Sequence, residues 1–167
     1  MQRLIPLFTV IFLSIVFSCT SDQPTTNVYI VRHAEKVKTD TTDNPGLTDV
    51  GAQRAVRLVT ELEGVVLDGI FSTPYERNLA TVRPLAAAKG LDIQLYEPHG
   101  FQSMLDSLKG QSGKNYLICG HSNTVMPMIG YLGAEKPAEA LEENEYDKLF
   151  KVQTQGKGGP TLEVMTY

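Results

Sequence analysis

The sequence predicts an α/β fold: a three-layer α/β/α sandwich on a mainly parallel central sheet, with antiparallel edge strands near the C-terminus. Three observations predict it. Short, unbroken apolar runs recur along the chain, as expected of strands buried on both faces. Segments with apolar residues at helical spacing separate those runs. From about residue 146 the pattern changes to near-alternation around a Gly- and Pro-rich turn. At 167 residues the chain is long enough for one compact domain and too short for two ordinary ones.

The N-terminal segment stands apart. Arg3 precedes an apolar run from Leu4 to Phe17, which is short for a bilayer span and reads as a secretory signal. Val16-Phe17-Ser18-Cys19 resembles a bacterial lipobox, in which the Cys is lipidated and becomes the mature first residue. The expected organisation is a lipoprotein-type signal over 1–18, a tether over 19–26 and a folded domain over 27–167. A lipid on Cys19 would hold the domain at a membrane surface, in the periplasm or on the cell surface. Cys119 is the second of two cysteines; inside an apolar run, it is expected to be buried packing.

The elements follow in order. Val28 to Val31 is the first strand, and Lys36 to Gly46 is a polar, turn-rich loop. Thr48 is an expected N-cap, followed by Ala55, Leu58, Val59, Leu62 and Val66 at helical spacing. Ile70-Phe71 is a second strand. Thr73-Pro74 reads as an N-cap with Pro at the first helical position, and Pro84 should bend or end that helix early. Ile93 to Tyr96 is a third strand, and Phe101 to Leu108 a helix closed by Gly110. Tyr116 to Cys119 is a fourth strand, and Val125 to Leu132 a helix closed by Gly133. Tyr146–Val152 and Thr161–Tyr167, around a turn over 155–160, read as a hairpin or a pair of antiparallel edge strands.

The charge balance narrows the function classes. The net charge is −4 with no Lys/Arg cluster, which argues against a nucleic-acid partner. A phosphate pocket needs only a few converging cations, and the topology supplies them. In parallel sheets ligands bind at the carboxyl ends of strands. Arg32-His33, Ser72-Thr73 and Gly120-His121 each follow a predicted strand, and Arg77 follows close behind the second. Arginine forks bind phosphate oxygens in pairs, and a helix N-terminus near Arg77 would add unpaired N–H groups. Neutral imidazole is a nucleophile whose phosphoramidate product water can resolve. That role requires one His33 nitrogen to stay unprotonated, with a backbone carbonyl holding the other N–H. His121 could then donate to the phosphoryl oxygens as charge builds.

These residues carry a family resemblance. Val31-Arg32-His33-Ala34-Glu35-Lys36 resembles the Arg-His-Gly signature of the histidine phosphatase superfamily, in the branch of cofactor-dependent phosphoglycerate mutases and small phosphohistidine phosphatases. Leu47-Thr48-Asp49-Val50-Gly51 is similar to its Leu-Thr-x-x-Gly helix start. The segment from Ser72 through Arg77 to Thr81 is similar to its Ser-x-x-x-x-Arg-x-x-x-Thr, and Gly120-His121-Ser122 to its Gly-His-Ser. The resemblance runs over roughly residues 28 to 130. It implies His33 as nucleophile, Arg32, Arg77 and His121 around the phosphoryl group with Ser122 beside them, and no metal or other cofactor.

Two positions depart from the pattern. Ala34 stands where Gly is usual. An acidic residue after the third strand donates the proton in many members, which points to Glu97, while small phosphohistidine phosphatases often lack one. His99 reads as an exposed loop or rim residue, Thr81 as packing beside Arg77, and Ser122 and Asn123 as the source of helix-start hydrogen bonds. Glu35 and Lys36 either orient the loop or face the substrate. The leading expectation is an exported phosphohydrolase acting on a small phosphoester or a phosphoprotein. A mutase-type phosphotransferase and a non-catalytic phosphate-binding surface module are the alternatives.

Overall fold

The computed structural model describes residues 24–39, 41–154 and 159–167. The expected signal segment, Cys19 and residues 155–158 of the expected C-terminal turn lie outside them. Within them, six strands form one sheet: β1 (Asn27–Arg32), β2 (Gly69–Ser72), β3 (Ile93–Leu95), β4 (Asn115–Gly120), β5 (Lys148–Gln153) and β6 (Thr161–Thr166). Their order across the sheet is β3-β2-β4-β1-β5-β6. The first four run parallel; β5 is antiparallel to β1, and β6 to β5.

Side chains alternate across the pleat, so each central strand feeds two cores. Val28 and Ile30 of β1, with Ile118 of β4, pack against α3 (Phe101–Lys109) and α4 (Val125–Tyr131). Tyr29 and Val31, with Leu117 and Cys119, pack against α1 (Asp49–Glu61) and α2 (Glu76–Lys89) on the other face. This is the α/β/α sandwich. Burial pushes the Cys119 thiol up to about 12, so it is protonated packing and not a nucleophile. No helix among the described residues is long and apolar enough to cross a membrane.

Four local expectations change. Val66 lies beyond α1 and is exposed, because the helix stops at Glu61. Helix α2 starts at Glu76, with Tyr75 rather than Thr73 at its N-cap. It also continues through Pro84 to Lys89. An interior proline removes one backbone hydrogen bond, but burial of Val82, Leu85 and Ala86 on the sheet outweighs that loss. Strand β5 is not an edge, since it pairs with β1 on one side and β6 on the other. Gly133 does adopt the left-handed conformation, with φ of 89°, whereas Gly110 after α3 stays right-handed.

The chain is already packed before β1. Thr26 is fully buried and its hydroxyl donates to the Gln111 carbonyl at 2.6 Å. The Gly113 N–H donates to the Pro24 carbonyl at 3.1 Å. The last residues of the expected tether are therefore docked on the turn between α3 and β4.

Candidate active site

The parallel strands end on one edge, and backbone hydrogen bonds lock those ends together. The His33 N–H donates to the Gly120 carbonyl at 3.0 Å, tying the end of β1 to the end of β4. The buried Asn78 amide of α2 donates to the same carbonyl at 2.9 Å. The Ala34 N–H donates to Thr81 Oγ1 at 2.9 Å, and that hydroxyl donates to the Arg77 carbonyl at 2.7 Å. Thr81 is thus a strut between the His33 loop and α2, and Ala34 keeps its backbone contact in place of glycine.

The Leu-Thr-x-x-Gly segment fixes the same loop from the other side. Thr48 caps α1 by accepting from the Gly51 N–H at 3.1 Å. Its own N–H donates to the Glu35 carbonyl at 2.9 Å. A Cβ on Gly51 would stand 2.4 Å from that carbonyl oxygen, so only glycine lets α1 approach so closely. Glu35 itself pairs with Arg54, whose Nη2 lies 2.7 Å from its carboxylate. Of the two residues after Ala34, Glu35 orients the loop, and Lys36 is left to line the cleft.

That cleft encloses about 590 Å³ and is lined by Arg32, His33, Arg77, His121 and Ser122, with Glu97 and His99 on its rim. Six predicted residues, Arg32, His33, Arg77, Glu97, His121 and Ser122, thus converge on one cleft. The His33 and His121 rings lie 5.6 Å apart, edge to face. His33 Nδ1 lies 2.8 Å from the Ala34 carbonyl oxygen. A carbonyl only accepts, so Nδ1 carries the proton and Nε2 keeps its lone pair. Burial drives the His33 pKa down to about 3. The Ala34 carbonyl opposes this, while the charges of Arg77, His121 and Arg32 add to it. His121 falls to about 4, first by burial and then through Arg77, Arg32 and Lys36. Both imidazoles are neutral at physiological pH.

The two arginines differ in their partners. Arg32 Nη1 donates to the carbonyls of Glu142, Glu143 and Glu145 at 2.8, 3.1 and 3.3 Å, and its guanidinium lies 4.2 Å from the Tyr146 ring centroid. Arg77 lies 4.5 Å from the Tyr75 ring centroid, and its side chain makes no hydrogen bond or ion pair among the described residues. In both, Nε is buried without an acceptor. A buried donor left unpaired is costly. Two of them beside one cleft are suited to an anion with several oxygens. Among the described residues, no group of three or more His, Cys, Asp or Glu is placed to hold a metal ion.

Several parts of the site were not read from the sequence. Thr73 does not cap α2; its hydroxyl lies 3.0 Å from His121 Nε2 and fixes that ring. No side chain caps α4, neither Ser122 nor Asn123; Thr124 Oγ1 instead accepts from the His121 N–H at 2.8 Å and fixes the backbone before the helix. Tyr75 and Tyr146 border the two arginines. Tyr75 lies inside a recognised segment, whereas nothing local marks Tyr146. Glu97 is exposed, with no hydrogen bond from its carboxylate among the described residues, and His99 is exposed as expected.

Comparison with known proteins agrees with this architecture. The model of the histidine phosphatase superfamily, branch 1, matches residues 28–98. The stretch from β1 to just past β3 is thus similar to that superfamily. The protein histidine phosphatase SixA, solved in complex with tungstate, superposes with a TM-score of 0.69 at 19% identity, over 84% of this chain and 96% of that one. Phosphoserine phosphatase from Entamoeba histolytica, in complex with 3-phosphoglyceric acid, gives 0.64 at 18% identity over 85% and 97%. The α-ribazole phosphatase from Shigella flexneri gives 0.62 at 15% identity over 84% and 96%. No curated protein sequence matches the chain. The match covers nearly the whole length of each solved superfamily domain. At these identities the likeness establishes the fold, and three such different phosphatases on one fold leave the substrate to the site's chemistry.

Proposed function

We propose that the chain is a phosphohydrolase that forms a phosphohistidine on His33. The carrying observation is a buried, neutral imidazole with a free Nε2, flanked by two guanidinium groups whose buried Nε–H groups have no acceptor. The anion binds between Arg32 and Arg77, with His121 and Ser122 beside it. His33 Nε2 attacks phosphorus, forming a P–N bond as the bond to the leaving oxygen breaks. Glu97, the sole carboxylate among the described lining residues, donates a proton to that oxygen. Water then attacks phosphorus and gives a proton back to the Glu97 carboxylate; the P–N bond breaks, and inorganic phosphate leaves with His33 neutral and Glu97 protonated again. Arginines rather than a metal carry the developing charge. Tungstate, the tetrahedral oxyanion bound by SixA, has the shape this site requires.

The test is turnover of an aryl phosphate by the full chain in mild detergent and a chelator. The wild type hydrolyses it and yields an acid-labile phosphoenzyme; His33→Ala loses both. Unchanged turnover in His33→Ala would refute the mechanism. Glu97→Gln loses rate on esters with poor leaving groups and keeps it on good ones. Equal losses on both kinds of ester would remove Glu97 from the donor role.

We further propose export, with a lipid on Cys19 and the domain facing the periplasm or cell surface. The apolar run from Leu4 to Phe17, ending in Ser18-Cys19, supports this reading. Fatty-acid labelling should mark the wild type and not Cys19→Ala; equal labelling would reject the anchor.

A further inference from the structure

We propose that Tyr75 is the positioning residue of this cleft, holding the Arg77 guanidinium through its ring face and, through Arg77, setting the affinity for the phosphoryl group. The proposal rests on the phosphate-site reading above.

Arginine is a long, rotatable side chain, and ordering it costs rotamer entropy. Surrounding groups usually offset that cost through hydrogen bonds or a carboxylate. Arg32 has three carbonyls and the Tyr146 ring. Arg77 has neither kind of polar partner among the described residues. Burial also lowers its pKa, a sign that the site makes its charge less comfortable than water does. What the structure places against it is Tyr75, with the guanidinium carbon 4.5 Å from the ring centroid. A cation over an aromatic face is attracted by the ring quadrupole, the more strongly as the pair is desolvated.

Tyr75 is itself well anchored. Its carbonyl accepts from the Asn78 and Leu79 N–H groups, both at 3.0 Å, so it is fixed to the first turn of α2. The same ring meets His121 edge to face at 5.4 Å, so one side chain sets the spacing between two groups of the cleft. The Tyr75 hydroxyl makes no hydrogen bond among the described residues. The ring, not the hydroxyl, does the positioning. A carboxylate would hold Arg77 more tightly but would neutralise it and repel the anion; an aromatic face orients the cation and leaves its N–H groups and its charge available.

The experiment measures binding of inorganic phosphate by calorimetry, and aryl phosphate turnover, on the full chain in mild detergent. The variants are Tyr75→Leu, which keeps bulk and removes the π face, Tyr75→Phe, Arg77→Ala and the Tyr75→Leu/Arg77→Ala double. Tyr75→Leu weakens phosphate binding about 5- to 30-fold, which corresponds to a partly to fully desolvated cation–π pair of about 1–2 kcal/mol. Tyr75→Phe stays within about twofold of wild type, because the ring is kept. In the Arg77→Ala background, Tyr75→Leu adds less than about a twofold loss, since its effect passes through Arg77. Wild-type affinity in Tyr75→Leu, a Phe variant as weak as the Leu variant, or full multiplication of the two losses would each overturn the proposal. If Arg77→Ala itself binds phosphate like the wild type, the phosphate-site reading fails first. Tyr75 is 37% exposed, and a matching thermal midpoint shows that the Leu variant is folded.

Discussion

Arg32 and Arg77 bring the same charge to the same cleft, yet the fold holds them in opposite ways. Arg32 sits at the end of β1 and spans to a segment more than a hundred residues later, where the carbonyls of Glu142, Glu143 and Glu145 share its Nη1. It is a crosslink as well as a cation, and it anchors the segment that leads into β5. Arg77 crosslinks nothing among the described residues; a ring lies against its guanidinium, and its Nε is buried with no acceptor. One arginine is therefore committed to structure with part of its fork to spare. The other is held whole for a ligand. A site built this way keeps its shape when empty and still retains an unsatisfied cation to draw in the anion.

The largest expected effect breaks this contrast most directly. Arg77→Ala and Arg32→Ala each lower kcat/KM by about 10²- to 10³-fold, as loss of one preorganised donor to the transition state does. Their stabilities diverge. Arg32→Ala loses about 1–3 kcal/mol, because three carbonyls lose their donor. Arg77→Ala keeps its urea midpoint or gains, since a half-buried cation whose Nε–H has no acceptor among the described residues is removed. Equal destabilisation of the two variants would abolish the distinction between a structural and a free arginine.

The same contrast explains how much of the molecule was legible in the sequence. Everything local and strand-ended could be read: β1, β2 and β4, the Thr48 cap, and His33, Arg77 and His121 delivered to one edge. Chain topology alone places those residues. Gly51 was legible as a motif, and its physical reason, the Glu35 carbonyl where a Cβ would stand, needed coordinates. The residues that hold the arginines were harder. Tyr146 reaches Arg32 from the segment that leads into the neighbouring strand β5, more than a hundred residues along the chain, and no local periodicity carries such a contact. Thr73 looked like a cap because Pro74 follows it, but tertiary pairing with His121 overrode the propensity. Pro84 looked like a stop, and burial of its helix prevailed. The cations were readable, and their scaffolding was not.

The smallest effect sharpens the comparison through the histidines. Both are buried and neutral, His33 near 3 and His121 near 4, against about 6.5 in the unfolded chain. Between those values the unfolded chain binds more protons than the native one. The two rings therefore contribute stability that is complete above about pH 6.5 and is lost as pH falls towards 4 and then 3. In phosphate-free buffer their NMR signals should stay in the neutral form at pH 5.5, as a nucleophile at that pH requires. The Arg77 charge depresses both rings more than the Arg32 charge does. Arg77→Ala should thus raise both midpoints, and by more than Arg32→Ala does. A midpoint near 6.5 for either wild-type ring would show that water and anions already screen the cleft. Raised midpoints on adding inorganic phosphate would show the reverse: the anion supplies the negative charge that these cations and imidazoles lack.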